Sequence, residues 1–121
     1  MLMSFLMKIK QWHVYLVNLN PKAGTKPGKL RPCLAIQPDY FAENDSTVIL
    51  PLTSQIEENV QDFFPLRIRI NAGVAGLISS SDLLMEQILA WDNKKFISEL
   101  GVLPDFYRDE VKFALKEFLD L

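Results

Sequence analysis

"QWHVYLVNLNPKAGTKPGKLRPCLAIQ", residues 11–37, is the stretch on which the reading of the fold turns. Residues 11–19 are rich in Val, Leu and aromatics and read as a β-strand. Asn20-Pro21 closes that strand, and a basic loop follows through Gly24, Pro27 and Gly28. Apolar character returns at 33–37, CLAIQ, as a second strand. The chain therefore begins as strand, basic loop, strand.

Downstream of this hairpin, PDYFAENDS is polar and turn-like, and TVILPLTS, 47–54, reads as a buried strand with Pro51 marking a bulge or a sheet edge. QIEENVQD is a polar connection. In PLRIRI, 65–70, Leu66, Ile68 and Ile70 alternate with Arg67 and Arg69, the pattern of a half-buried strand. NAGVAG is a turn-rich loop. LLMEQILAW, 83–91, fits helix or strand by periodicity; its length and its place among short strands favour a strand.

Two helices are expected at the end. The first has Asp92 as N-cap, a face of Phe96, Ile97 and Leu100, and Gly101 as its stop. In the second, after Pro104 and Asp105, residues Val111, Ala114, Leu115, Phe118 and Leu119 share one helical face that packs on a sheet. Short strands followed by terminal helices predict an α+β fold with a strongly curled, barrel-like sheet.

A length of 121 residues suits a single domain, 1–121, with residues 1–6 as an N-terminal extension. The apolar start precedes Lys8 and Lys10, the reverse of a signal peptide, and no run is long enough to span a membrane. With one cysteine, Cys33, and one histidine, neither a disulfide framework nor a zinc site is expected, and no cofactor motif occurs. The expected compartment is the cytoplasm. Charge is distributed unevenly: residues 1–38 carry six basic groups and no acid, whereas the rest carries seven basic groups and fifteen acids. A basic face of this kind attracts a polyanion even on an acidic protein, or else simply solubilises a loop.

Four places could carry chemistry. Pro32 holds Arg31 extended, and a guanidinium fixed at a strand start suits bidentate grip of a phosphate; a plain surface arginine is the alternative. Thr53-Ser54-Gln55 ends an apolar strand with side chains that can donate to phosphate or open a turn. Glu86-Gln87 interrupts an apolar run, so on an alternating strand one of the pair points inward, as a cleft acid–base group or as a satisfied pair. His13 lies alone inside the first strand and reads more readily as structural than catalytic.

These residues resemble the MazF/PemK-like toxins of bacterial toxin–antitoxin systems. The matching segments, in order, are VYLVNLNP (14–21), GTK (24–26), RPCLAIQ (31–37), VILPLTSQ (48–55), 81–87 ending in Glu86-Gln87, and Gly101-Val102-Leu103 before the last helix. The resemblance covers about 7–121. It implies an SH3-like barrel of short, mostly antiparallel strands with a C-terminal helix, of the CcdB/MazF/Kid type, acting as a homodimer. It implies a metal-independent endoribonuclease that cuts single-stranded RNA at short sequences and is blocked by a cognate antitoxin. Arg31 and Thr53 match the family's catalytic arginine and threonine, and Glu86 is the retained acid. Lys22, Lys26, Lys29, Gln37, Ser54, Gln55 and Gln87 would bind RNA. The sequence departs from the family where Lys26 replaces a loop glutamate, Trp12-His13 replaces Gly-Asp or Gly-Glu, and Leu84 and Leu89 stand at basic positions. Two alternatives share the barrel: a homologue that grips RNA or antitoxin without cutting, and a CcdB-type gyrase inhibitor.

Overall fold

The computed structural model describes residues 7–21 and 29–121. The extension assigned to 1–6 and the middle of the basic loop, with Lys22, Gly24, Lys26, Pro27 and Gly28, lie outside the described residues. The elements run β1 (His13–Asn18), β2 (Leu30–Ala35), β3 (Ser46–Thr53), β4 (Arg67–Ile70), β5 (Ser81–Leu84), β6 (Leu89–Asp92), β7 (Phe96–Val102) and α1 (Asp105–Leu119). Among the described residues the strands form one seven-stranded antiparallel sheet in the order β4-β5-β3-β2-β1-β7, with β6 paired to β3 beside this path.

Strand β3 makes the sheet curl. One of its edges pairs with β2, with Cys33 opposite Pro51 and Ala35 opposite Ile49. The other edge is shared: β6 takes Ser46 to Ile49, and β5 takes Leu52 and Thr53. Pro51 falls in the gap between those two partners. Ile36 N–H donates to the Val48 carbonyl, so by antiparallel alternation the position of the missing Pro51 N–H faces away from β2. The proline thus costs no ladder bond and marks the changeover from one partner to the next, neither a bulge nor an outer edge.

The sheet buries both faces. On one, Val14, Leu34, Leu50, Leu52, Ile68 and Ile70 meet Tyr107, Val111 and Ala114 of α1. On the other, Tyr15, Val17, Cys33, Ala35 and Ile49 meet Phe96, with Trp91 and Ile9 packed alongside. This explains why β1 and β3 read as continuous apolar runs: successive side chains point to opposite faces, and both are filled. Helix α1 meets its sequence pattern except at its last member: Val111 and Ala114 are fully buried and Leu115 and Phe118 pack at the margin, but Leu119 is exposed at the helix end. Burying a side chain the size of Val111 contributes roughly 1.5–3 kcal/mol.

Three expectations change. Strand β2 begins three residues earlier than expected and ends two sooner, because Leu30, Arg31 and Pro32 pair with Asn18, Val17 and Leu16 of β1. The stretch 83–91 is two strands: β5 ends at Leu84, Met85–Gln87 form a 3-10 turn, and β6 starts at Leu89. The expected helix from Asp92 to Gly101 is strand β7, laid along the edge of β1. Asp92 does cap, accepting from Lys94 N–H, but its turn is a single 3-10 turn over Asn93–Lys95. Gly101 is not a helix stop. It lies where the 74–76 turn crosses β7, and a Cβ there would stand 2.5 Å from the Ala75 carbonyl carbon.

Candidate functional site

The register brings a row of polar residues together at one end of the central strands. Arg31 lies opposite Val17 of β1. Continuing the Cys33–Pro51 register by two residues puts Arg31 abreast of Thr53, the last residue of β3. Thr53 is opposite Asp82 of β5, and Asp82 is opposite Arg69 of β4. Arginine, threonine, aspartate and arginine therefore follow one another across neighbouring strands, spaced at about 4.8 Å per strand. Residues abreast in an antiparallel sheet share a face.

Each member has a distinct environment. Arg31 is half-buried, and its Nε is a buried donor with no hydrogen-bond partner among the described residues. Such an atom needs an acceptor, which a phosphate oxygen provides in the bidentate geometry guanidinium prefers. Thr53 is buried, and its Oγ1 accepts from Gln55 N–H at 3.1 Å, turning the chain as β3 ends. Ser54 and Gln55 follow it, both exposed.

Asp82 is completely buried and is the acid that the sequence reading missed. Its carboxylate accepts from Glu57 N–H at 2.9 Å, Arg67 Nη1 at 3.0 Å and Arg69 Nε at 2.5 Å. Burial alone raises its pKa, but the bonds from Arg69, the Glu57 amide and Arg67 outweigh it and hold the carboxyl below the usual carboxylate range. The folded value lies below the unfolded one of about 3.9, so this stabilisation is fully present above about pH 5 and is lost as pH falls through the folded value. The stability gap between wild type and Asp82→Asn should be flat above about pH 5 and shrink below it. Chemical denaturation across the acid range measures this, and a gap unchanged down to about pH 2 contradicts it.

Arg31 and Ser54 also line a cleft of about 360 Å³ whose remaining walls include Leu16, Pro32, Leu52 and Leu77. Its surface is mostly apolar, with Ser79 and Ser81 adding hydroxyls. Cys33 supplies no nucleophile here: burial pushes its thiol far above the usual range, and the nearby Arg31 charge offsets this only in part.

Of the other residues named from the sequence, only Lys29 among the described ones joins this end. Lys29 is exposed immediately before β2, and its N–H donates to Asn20 Oδ1 at 2.7 Å, which places it at the Arg31 end. Lys22 and Lys26 lie outside the described residues. Gln37 is at the opposite end of β2, where its side chain donates to the Phe41 and Ser46 carbonyls and accepts from Val48 N–H. Glu86 and Gln87 sit on the 3-10 turn, Glu86 exposed and Gln87 half-buried, so neither alternates inward as a strand would require; Met85 fills the core instead. Glu86 is four residues beyond Asp82, roughly 10 Å or more along the chain direction, and does not line the cleft. His13 is at the far end of β1, with Nδ1 3.2 Å from Glu99 Oε1. No group of three or more metal-ligating side chains occurs among the described residues, and no helix there is long and apolar enough to cross a membrane.

Asp82 left a signal in the sequence. Two arginines alternate on the outward positions of β4, and Asp82 heads the apolar run of the strand beside it. Opposite charges on adjacent strands pair.

Compared with solved structures, this architecture is that of the MazF toxins. MazF from Deinococcus radiodurans superposes with a TM-score of 0.79 at 21% identity, covering 95% of this chain and 99% of that one. An endoribonuclease in complex with its cognate antitoxin, from Mycobacterial species, gives a TM-score of 0.72 at 15% identity over 94% and 95% of the two chains. The sequence carries the assignment further. Endoribonuclease EndoA of Bacillus subtilis (strain 168) is 32% identical over 116 residues, 95% of this chain and 97% of that protein. The model of the PemK-like, MazF-like toxin of type II toxin–antitoxin systems matches residues 10–119. The chain belongs to that family.

Proposed function

We propose that the chain is the toxin of a toxin–antitoxin system and acts as an endoribonuclease on single-stranded RNA in the cytoplasm. The observation that carries the chemistry is the Cys33–Pro51 register, which continued by two residues brings Arg31 level with Thr53, together with a buried Arg31 guanidinium nitrogen that has no acceptor among the described residues. Membership of the toxin family and the 32% identity to an endoribonuclease support the reaction type.

In this reading the scissile phosphate docks on Arg31, with Thr53 as a second donor to one of its oxygens. The ribose 2′-oxygen attacks the phosphorus and its proton passes to solvent; the bond to the 5′ oxygen breaks, that oxygen takes up a proton from solvent and leaves as a 5′-hydroxyl, and a 2′,3′-cyclic phosphate remains on the other fragment. Negative charge grows on the equatorial oxygens in the transition state, where a preorganised cation acts most strongly. Arg31 supplies that charge, so the reaction needs no metal ion. The apolar, serine-rimmed cleft beside Arg31 suits an unstacked base of a single strand, which gives sequence selectivity. Lys29, Ser54 and Gln55 lie at the same end and extend the contact. Asp82, held as a carboxylate by two arginines, is not the proton donor.

A cognate antitoxin is the protein partner, as in the solved complex from Mycobacterial species. Exposed Leu30 and Ile78 beside the cleft, with Ile97 and Val102 on the edge strand β7, leave apolar surface for a second copy, and a homodimer is the expected assembly. Light scattering of the purified protein tests this, and a monomer at micromolar concentration contradicts it.

The function is tested by incubating purified protein with a long single-stranded RNA in excess chelator and mapping the ends. Discrete cuts leaving 5′-hydroxyl ends are expected. RNA bound but intact means a grip without chemistry, and intact RNA with inhibited DNA gyrase means a CcdB-type toxin; either overturns the proposal. Thr53→Ala should lower the cleavage rate by roughly 10²-fold, the scale for losing one preorganised donor to a developing oxyanion. An unchanged single-turnover rate removes Thr53 from the site.

A further inference from the structure

The two β4 arginines and Asp82 form a cluster that the proposed reaction does not use. Asp82 bonds Glu57 N–H, Arg67 Nη1 also donates to the Gln55 carbonyl at 3.2 Å, and Arg69 Nη2 donates to the Glu57 carbonyl. Three backbone groups of residues 55–57 are thus held from the neighbouring strands. A fourth, Gln55 N–H, is held by Thr53 Oγ1 itself. The segment that leaves the catalytic end of β3 has no regular secondary structure over 54–59, yet its backbone is fixed at each of these points.

As a source of stability a buried carboxylate with two arginines is weak, because desolvation cancels much of the attraction and apolar residues of similar volume do as well. As a source of geometry it is strong: its bonds are charge-assisted and directional, and both arginines are braced a second time by backbone carbonyls. We propose that Asp82 is a positioning residue, which with Arg67 and Arg69 locks the 55–57 backbone and thereby sets Thr53 and Ser54 against the phosphate held by Arg31. The proposal rests on the assignment of Arg31 and Thr53 to the reaction. It explains why the acid of the polar row sits directly opposite Thr53 and is wholly closed to solvent.

The cluster also makes a prediction that a purely structural role would not. Asp82→Asn removes one negative charge and leaves Arg67 and Arg69 in place. RNA binding is then unchanged or tighter, whereas the loosened end of β3 misplaces the hydroxyl. A misplacement of about 1 Å can cost up to 10²-fold in rate. The expected result is a kcat lowered about tenfold or more with KM unchanged or lower. The fraction of competent protein is counted by titration with a 2′-deoxy-substituted, uncleavable oligonucleotide. Arg67→Met serves as the second variant: it frees the Gln55 carbonyl without dismantling the Asp82–Arg69 pair, and should lower kcat in the same way if Asp82→Asn does not fold.

Wild-type kcat per competent molecule in Asp82→Asn, or in Arg67→Met where only that variant folds, overturns the proposal. So does a loss wholly accounted for by a smaller competent fraction. Thr53→Ala separates this from the reading beneath it. If Thr53→Ala cleaves normally, the site assignment fails; if it is impaired and the cluster variants are not, only the positioning role fails.

Discussion

Arg31→Ala lowers the single-turnover rate of RNA cleavage by at least about 10³-fold while the protein keeps its melting temperature to within a few degrees. The size follows from the charge involved: one preorganised neutral donor to a developing oxyanion already contributes 10²–10³-fold, and Arg31 supplies both donors and a full positive charge. Fold is spared because Arg31 gives the native state little. It is half-exposed, and among the described residues it makes no salt bridge and its Nε has no partner to lose. Removing a buried donor without an acceptor also removes a desolvation cost. Arg31→Lys should recover little of the rate, since an ammonium cannot reproduce the planar fork at a bidentate site. Rates with saturating RNA, alongside thermal melts, check both variants; an Arg31→Ala protein that cleaves normally contradicts the assignment.

Gly76→Ala carries the largest expected effect on stability. Gly76 has φ of +76°, in the left-handed region, and a Cβ built there would stand 2.0 Å from the Leu100 carbonyl oxygen. The neighbouring contact is backbone, so no side-chain rotation relieves it. Left-handed strain alone costs about 1–3 kcal/mol, and the clash forces the 74–76 turn off β7 in addition. A loss of about 3 kcal/mol or more is expected, and a fall in melting temperature of about 10 °C or more for a chain of this size. Differential scanning calorimetry measures it. Gly73, also left-handed at φ +86° but with nothing within 4 Å, is the control and should cost less on substitution. Equal effects at the two glycines would show that the crossing against Leu100 is not tight.

The two predictions rest on features that differed in how well they could be read from the residues. Strands β1, β3 and β4 and helix α1 were legible, because each has a single dominant pattern: continuous apolar where both faces are filled, alternating in 67–70, and helical spacing from Val111. Strand β7 was not. Its pairing with β1 shifts register twice, between Val14 and Tyr15 and between Leu16 and Val17, which breaks the two-residue period. Adjacent Phe96 and Ile97 then fit a short helical face as well as a strand, and only the open edge of β1 decides between them. In 83–91 the turn at Met85–Gln87 contains neither glycine nor proline, so nothing local announces the break.

The site divides in the same manner. From the residues alone Arg31 stands at the start of one strand and Thr53 at the end of another, and the Cys33–Pro51 register, continued by two residues, sets them abreast. That relation depends on pairing across a long loop, which spacing along the chain cannot state. Asp82 escaped notice because it looked like the polar start of an apolar strand, and its two arginine partners looked like a solvated face. Glu86 drew attention by interrupting an apolar run, and that interruption proves to be a turn.

The claim at the centre of this account is that Arg31 and Thr53 act on one phosphate as a unit. A double-mutant cycle on cleavage tests it most directly: single-turnover rates of wild type, Arg31→Ala, Thr53→Ala and the double variant on one mapped RNA site, in excess chelator. Groups that work as a unit give strongly non-additive losses, so the double variant should be little slower than Arg31→Ala alone. Losses that multiply across the two positions, or a wild-type rate in either single variant, would contradict it.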